Sequence, residues 1–250
     1  MRECKIGFRM NLIHYKLLDF LEKFDCLEMY KTFREQTLTL CGLTKCRIDP
    51  NHKQGYESCF LFLALQQNFA FKRFLEFGTG RGTTSFLMAC CHNIERVVTL
   101  DIVPHNLRRA TWCDYQRVIM SNAEIHDKCV EAIGEPRAPI ERICANSTSL
   151  TPSRIKGGPF DLVYIDGSHD YGPVKSDFEL TKALLADDAV VIFDDYDPRY
   201  GVHQAVNEIM ADEDCLLVSV NGHIYGPEQE PDECGHIIWA RGKYKELLHA

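Results

Sequence analysis

The chain has 250 residues, of which 45% are hydrophobic and 26% are charged, and its formal net charge is −8. This length and composition suit a globular protein with a sizeable core, and the acidic balance argues against nucleic acid as a partner. No apolar run approaches the roughly 18 residues of a membrane span, and residues 1–16 lack the apolar stretch of a secretory signal, so we expect a cytoplasmic protein without a membrane partner.

The N-terminal region carries apolar residues at steps of three and four between about residues 10 and 39. Leu12, Ile13, Leu17, Phe20, Leu21 and Phe24 form this stripe. The spacing predicts an amphipathic helix that packs against the rest of the protein, covers an active site or contacts a second subunit. We therefore predict an N-terminal helical extension or cap over residues 1–56 and a second domain over residues 57–250.

A glycine-rich segment follows the apolar run at residues 74–77 and precedes a helical run, an order typical of nucleotide-binding units. Its pattern is Gly-x-Gly-x-Gly, and Glu76 stands two residues before Gly78. The dinucleotide pattern is Gly-x-Gly-x-x-Gly, which cradles a pyrophosphate with no acid beside it. Glu76 suits a zwitterionic amino-acid tail better, because its carboxylate can hold an ammonium group directly or through water.

Two further strands of this unit are predicted. The first, residues 97–100, ends at Asp101, a position from which a carboxylate typically accepts hydrogen bonds from both ribose hydroxyls of a nucleoside. The second, residues 140–144, leads to Ser147, which we expect in an adenine pocket. Residues 103–138 between them are predicted to hold helices over 106–115 and 121–133. Their role is left open among an enlarged crossover, a lid and an oligomer contact.

Residues 160–197 contain two apolar runs, 162–165 and 189–193, separated by a helical pattern that begins at Gly172-Pro173. This order predicts a βαβ unit with parallel strands. Acids follow both strands: Asp166 after the first, and Asp194 with Asp195 after the second. Because the carboxyl ends of parallel strands meet at one rim of a sheet, these three carboxylates should converge there. They would repel each other unless a cation or a proton lay among them.

The C-terminal region predicts a helix over residues 201–210, strands over 216–220 and 236–240, and a solvated acidic loop over 226–233. The fold class that follows is α/β. We expect a doubly wound, Rossmann-like, seven-stranded and mostly parallel sheet with an antiparallel last strand.

From Phe74 to Asp195 the chain resembles the class I S-adenosylmethionine-dependent methyltransferases. EFGTGRGTTS is similar to their first motif and TLD to their second. VYIDGSHDYGPVKSDFELTKALL followed by VVIFDDYD resembles the O-methyltransferase group of macrocin, mycinamicin and cephamycin biosynthesis. The resemblance implies S-adenosylmethionine as cofactor, held by Glu76, Gly78, Thr79, Gly80, Gly82, Thr84, Ser85, Asp101, Ser147 and Asp166. It also implies a divalent metal held by Asp166, Asp194 and Asp195, with His169 as the catalytic base.

The chemistry of the residues is consistent with this resemblance. A neutral hydroxyl is a poor nucleophile, and hard oxygen ligands select Mg²⁺ or a similar divalent cation, which lowers the pKa of a bound hydroxyl. Histidine, with an ordinary pKa near 6.5, can take the proton at neutral pH. His203 is a second-choice site residue, and Tyr171 and Tyr196 are candidates for lining the acceptor pocket.

The expected function is therefore Mg²⁺-dependent O-methylation of a small hydroxylated molecule, such as a sugar or a natural product. One alternative keeps the fold and methylates without a metal, and the other is a non-catalytic binding protein of the same fold. The residues leave open the acceptor, the metal used in the cell and whether the protein forms a homo-oligomer.

Overall fold

A computed structural model of the protein describes residues 10–28, 57–113, 116–219 and 235–249. Side chains are described throughout these ranges except at residues 57–59 and 109–118. Much of the predicted N-terminal extension and the predicted acidic loop at 226–233 lie outside the described residues. The proposed domain division at residue 56 therefore stays a prediction.

The largest feature is an eight-stranded sheet with the order β1-β9-β10-β8-β7-β2-β3-β6. Its strands are β1 (Asn11–Lys16), β2 (Arg73–Phe77), β3 (Arg96–Asp101), β6 (Ile140–Cys144), β7 (Phe160–Ile165), β8 (Leu185–Tyr196), β9 (Asp214–Ser219) and β10 (Gly235–Arg241). Within the described sheet, β10 runs antiparallel to both of its neighbours, and every other pairing is parallel. The predicted mostly parallel sheet with an antiparallel last strand is confirmed, with eight strands in place of seven.

The additional strand is β1, which corrects the prediction of a helix from residue 10 onward. β1 pairs in parallel with β9, from Asn11 opposite Asp214 to Lys16 opposite Ser219. The helical periodicity misled because β1 is stabilised by a partner some 200 residues away, as the register shows, and local spacing carries no signal for such pairing. The stripe is helical only from Leu17 onward.

In the described ranges, six helices cover the two faces of the sheet: α1 (Leu17–Lys23), α2 (Glu57–Phe69), α3 (Thr83–Cys90), α4 (Asn122–Ile133), α5 (Tyr171–Lys182) and α6 (Gly201–Ile209). Short 3₁₀ turns occupy Ser147–Ser149, Pro152–Arg154 and Gly242–Leu248. None of the helices in the described part of the chain is long and apolar enough to cross a membrane.

Alternation along the strands divides the core into two layers. In β2, Phe74 packs with the apolar residues of α1, α2 and α3, whereas Leu75 packs with those of α5 and α6. Neighbouring residues of a strand point to opposite faces, so each strand contributes to both layers. Because helices cover both faces, the middle residues of the central strands are mostly buried and apolar, as Leu162, Val163 and Val190 are.

A second correction concerns the helix predicted over residues 106–115. Within that range, β4 (Arg109–Cys113) is a strand, and it pairs in antiparallel with β5 (Gln116–Met120). The segment is rich in β-branched and aromatic residues, which favour strands over helices. The helix predicted next is confirmed as α4. Its N-cap Ser121 accepts a hydrogen bond from the Glu124 amide, and the Glu124 carboxylate accepts one from the Ser121 amide, which forms a capping box.

Candidate active site

The glycine-rich turn leaves β2 between two parallel neighbours, β3 and β7. Gly78, Gly80 and Gly82 all have positive φ, at 90°, 53° and 79°. The Gly78 amide donates to the Leu100 carbonyl at 2.8 Å, and a Cβ added to Gly78 would lie 2.0 Å from the Asp166 carbonyl oxygen. Only glycine satisfies both the backbone angle and this close approach, so the turn is held against the end of β7.

Asp101 ties the turn to the end of β3. One carboxylate oxygen accepts from the Gly80 amide at 3.1 Å, and the other accepts from the Val103 amide at 2.9 Å. These two backbone donors fix the orientation of the carboxylate beside the cleft that a ligand would enter. Its role toward a ribose stays a prediction.

The cleft outside the carboxyl ends of β2, β3, β6 and β7 has a volume of about 420 Å³, within the usual range for small-ligand sites. Its walls include five of the predicted cofactor residues, namely Gly78, Gly80, Asp101, Ser147 and Asp166. The other predicted cofactor residues are not among its lining residues: Glu76, Thr79, Gly82, Thr84 and Ser85. Asp177 also lines the cleft, and the sequence analysis missed it.

Glu76 is buried behind the glycine turn, with 1% of its surface exposed. Its Oε2 accepts hydrogen bonds from the Ser85 hydroxyl at 2.8 Å and from the Thr99 hydroxyl at 2.6 Å. Burial raises the pKa of Glu76 to about 7, and the two hydroxyl donors oppose this shift. Glu76 therefore supports the turn from beneath, and its role toward an ammonium group stays a prediction.

The three acids predicted to bind a metal converge at the rim of β7 and β8. Each of Asp166, Asp194 and Asp195 offers a carboxylate oxygen, and these oxygens lie within 4.8 Å of one another. Asp195 has a φ of 49°, a left-handed conformation that is uncommon for a residue other than glycine. Regular strand geometry would point Asp194 and Asp195 to opposite faces. The left-handed residue breaks that alternation and lets both side chains reach one cluster.

The chemistry of this donor set fits a hard divalent cation. Oxygens in an octahedral Mg²⁺ shell of radius about 2.1 Å lie roughly 3 to 4 Å apart. The observed limit of 4.8 Å is close to the upper end of that range, so the three carboxylates suit a shared cation. Three acidic ligands would leave about half of an octahedral shell for water and an acceptor.

Two buried side chains that the sequence analysis did not identify lie against Asp194. The Tyr164 hydroxyl donates to Asp194 Oδ2 at 2.8 Å, and His236 Nδ1 lies 2.8 Å from Asp194 Oδ1. Tyr164 and His236 are each 1% exposed. Tyr164 is two residues before Asp166 on the same strand face, so period-two spacing was an available signal. His236 comes from β10, and only the strand order brings it next to β8.

His169 contacts the acid cluster. Its Nε2 lies 2.7 Å from Asp195 Oδ2, and its ring packs against Tyr200 with 4.5 Å between ring centroids. His203, the second-choice residue, stacks on Tyr196 with 4.7 Å between centroids. The Tyr171 hydroxyl donates to Glu208 at 2.5 Å and so links α5 to α6.

Residues 75–196 match a family model described as a methyltransferase domain. The chain carries a methyltransferase domain. Taken with the fold, this match confirms the assignment to the class I S-adenosylmethionine-dependent methyltransferases. The matched region of the methyltransferase domain contains the glycine turn, Asp101, His169 and all three acids of the cluster.

Known proteins share this fold at low sequence identity. The cofactor-bound structure of Rv0187 from MTB has a TM-score of 0.54 and 18% identity over 85% of this chain and 94% of that chain. The O-methyltransferase TomG from Streptomyces achromogenes, in complex with SAM, has a TM-score of 0.50 and 18% identity over 90% of each chain. Uncharacterized protein R132 of Acanthamoeba polyphaga mimivirus is 44% identical over 55 residues, which are 21% of this chain and only 25% of that protein.

Proposed function

We propose that this methyltransferase is a Mg²⁺-dependent O-methyltransferase that acts on a hydroxyl of a small molecule, such as a sugar or a natural product. The observation that carries the proposal is the convergence of three carboxylates within 4.8 Å at the rim of the cofactor cleft. Asp166 belongs to both sites, since it lines the cleft and is one of the three acids. A cation held there would be a neighbour of the methyl donor.

The cleft supports the methyl-donor half of the proposal. Asp101 lines the cleft, where its carboxylate would accept hydrogen bonds from ribose hydroxyls. The glycine turn would let a ligand approach the backbone closely, and Ser147 also lines the cleft, where it would contact adenine. Glu76 would favour the methionine ammonium group by Coulombic attraction from behind the turn, because a nearby cation favours its ionised form.

The acid cluster and His169 support the acceptor half. Asp166, Asp194 and Asp195 would hold a divalent cation, which when bound supplies Lewis acidity toward a hydroxyl oxygen. A hydrogen bond from His169 Nε2 to Asp195, at the observed 2.7 Å, would fix the tautomer in which Nδ1 is the basic nitrogen. That nitrogen takes the hydroxyl proton while the oxygen forms a bond to the methyl carbon. The carbon–sulfur bond breaks, and its electron pair stays on sulfur in S-adenosylhomocysteine.

The test is methyl transfer from S-adenosylmethionine to two probe acceptors, catechol and methyl α-L-rhamnoside, with product S-adenosylhomocysteine measured by mass spectrometry. We expect turnover with Mg²⁺ and at least a 100-fold loss with EDTA, since the cation supplies several kcal/mol of charge stabilisation. Asp195→Asn with Mg²⁺ should resemble the wild type in EDTA. Transfer that is equal with Mg²⁺ and EDTA in both proteins would contradict the metal-dependent proposal and favour the metal-independent alternative.

A further inference from the structure

Asp177 is a buried acid in the wall of the cofactor cleft. It lies in the middle of α5 and lines the cleft, although only 1% of its surface is exposed. Its Oδ1 has no hydrogen-bond partner among the residues that the structure describes. Buried carboxylate oxygens are rarely left without a donor, because leaving one unsatisfied is costly.

The surroundings of Asp177 do not provide that donor. The Thr181 hydroxyl, one turn along α5, donates to the backbone carbonyl of Asp177 and not to its carboxylate. Ser147 interacts with the carboxylate and lowers its pKa, but burial outweighs this and raises the pKa to about 6. The side chain is therefore an anion at pH 8, with one hydroxyl neighbour and one oxygen still to be satisfied.

The position of Asp177 indicates which part of a ligand it meets. Asp101 lines the cleft where the ribose would bind, and Ser147, which we expect in the adenine pocket, lines it as well. Ser147 is also the residue that interacts with the Asp177 carboxylate. A nucleobase held beside Ser147 would therefore lie close to Asp177.

A carboxylate needs a hydrogen-bond donor, and the exocyclic amine is the donor that adenine offers. N7 and the other ring nitrogens that carry no sugar are acceptors. We propose that Asp177 accepts a hydrogen bond from the exocyclic amine of the methyl donor, and that this contact selects an adenine nucleoside over one that lacks the amine. The inference rests on S-adenosylmethionine being the donor. It adds a base-reading residue that the sequence motifs do not contain.

The contact can be measured with S-adenosylhomocysteine and its 6-deamino analogue, in which hydrogen replaces the amine. Calorimetric titration at pH 8 should give the wild type about 10- to 100-fold weaker binding of the analogue, since the analogue leaves the carboxylate unsatisfied. Asp177→Ala removes the acceptor, so its two dissociation constants should agree within about threefold. Glu179→Gln is the matched control, because Glu179 is exposed on the same helix and pairs with Lys182. It should keep the wild-type ratio.

Equal binding of the two ligands by the wild type would overturn the inference. So would an unchanged ratio in Asp177→Ala, provided that thermal melting shows the variant to be folded. If that variant does not fold, the wild-type ratio and the intermediate ratio expected for Asp177→Asn decide instead. No binding of S-adenosylhomocysteine to the wild type would overturn the donor assignment itself, a different failure from equal binding.

Discussion

Two acidic regions lie at the same end of the sheet, and they differ in what stabilises their carboxyl groups. Glu76 is enclosed, and the Ser85 and Thr99 hydroxyls donate to it, so the protein itself satisfies this single carboxyl group. The cluster of Asp166, Asp194 and Asp195 brings three carboxylates within 4.8 Å at a rim where only Asp194 is buried. The first arrangement is complete without a ligand, whereas the second is expected to be completed by a cation from solution.

The contrast assigns different roles to similar residues. A buried acid with its pKa raised to about 7 favours its neutral form and supports the turn. A rim cluster with a left-handed residue at its centre is a strained arrangement of the kind found at functional sites. Changes to Glu76 should therefore alter folding stability and its pH dependence, and changes to the cluster should alter catalysis.

The largest effect is expected from removing the cluster's charge. Asp166→Asn with Asp194→Asn should lower methyl transfer by about 10³-fold or more, because the cation and its charge stabilisation are lost. The same double variant should melt at a higher temperature than the wild type when both are in EDTA, since it relieves carboxylate repulsion. Differential scanning calorimetry and an S-adenosylhomocysteine release assay measure the two quantities. Full methyl-transfer activity in the double variant would contradict a catalytic role for the acid cluster, and with it the functional difference between the cluster and Glu76.

Replacing the base is expected to have the next effect. His169→Gln should lower kcat by about 10²- to 10⁴-fold, the usual contribution of general base catalysis. It should leave the affinity for S-adenosylhomocysteine unchanged, because His169 is not among the residues that line the cofactor cleft. His203→Gln is the control, since its ring stacks on Tyr196. Equal losses in the two variants would argue against His169 as the base.

Gly78→Ala tests the turn that joins the two regions. The added Cβ would meet the Asp166 carbonyl oxygen at 2.0 Å, and the backbone has a φ of 90°. We expect a loss of about 3 kcal/mol in the free energy of unfolding, with binding of S-adenosylhomocysteine abolished. Gly80→Ala shares a positive φ but has open space at its Cβ, so it should lose only about 1 kcal/mol. Chemical denaturation measures both, and equal losses would contradict the steric argument.

Glu76→Gln should leave methyl transfer the least affected of these variants, and its effect on stability should depend on pH. Folding raises the pKa of Glu76 from 4.5 to about 7. Between these two pH values the folded protein keeps the Glu76 proton, whereas the unfolded chain has lost it. The stabilisation is complete below pH 4.5 and is lost as the pH rises to 7, by up to roughly 3 kcal/mol. The variant should therefore be more stable than the wild type at pH 8 and similar to it at pH 4.5. Denaturation curves that shift equally at both pH values would refute this account of Glu76.

The sequence predicted the parts of the site that follow strand ends. Asp101, Asp166 and Asp194 each come at the end of a strand, and parallel order brings such residues to one rim. The glycine turn was predictable because its residues are consecutive. The motif did not show which of those residues face the ligand, since Glu76 and Ser85 lie behind the turn while Gly78 and Gly80 line the cleft.

The missed features depend on partners that are distant in the chain. β1 needs β9 across the full length of the chain, and His236 reaches Asp194 only because β10 lies beside β8. Asp177 lies on the buried face of α5, three residues after Val174 and four before Thr181, so helical spacing was an available signal for its burial. That spacing gave no signal that its carboxylate lines the cleft. Cytoplasmic location, the absence of a nucleic acid partner and any homo-oligomer stay predictions.

The most direct test of the central claim is calorimetric titration of Mg²⁺ into the protein saturated with S-adenosylhomocysteine. The wild type should bind one Mg²⁺ per chain, and Asp166→Asn with Asp194→Asn should bind none while still binding S-adenosylhomocysteine. Absence of Mg²⁺ binding in the wild type, or binding that persists in the double variant, would contradict the assignment of the three acids as a metal site.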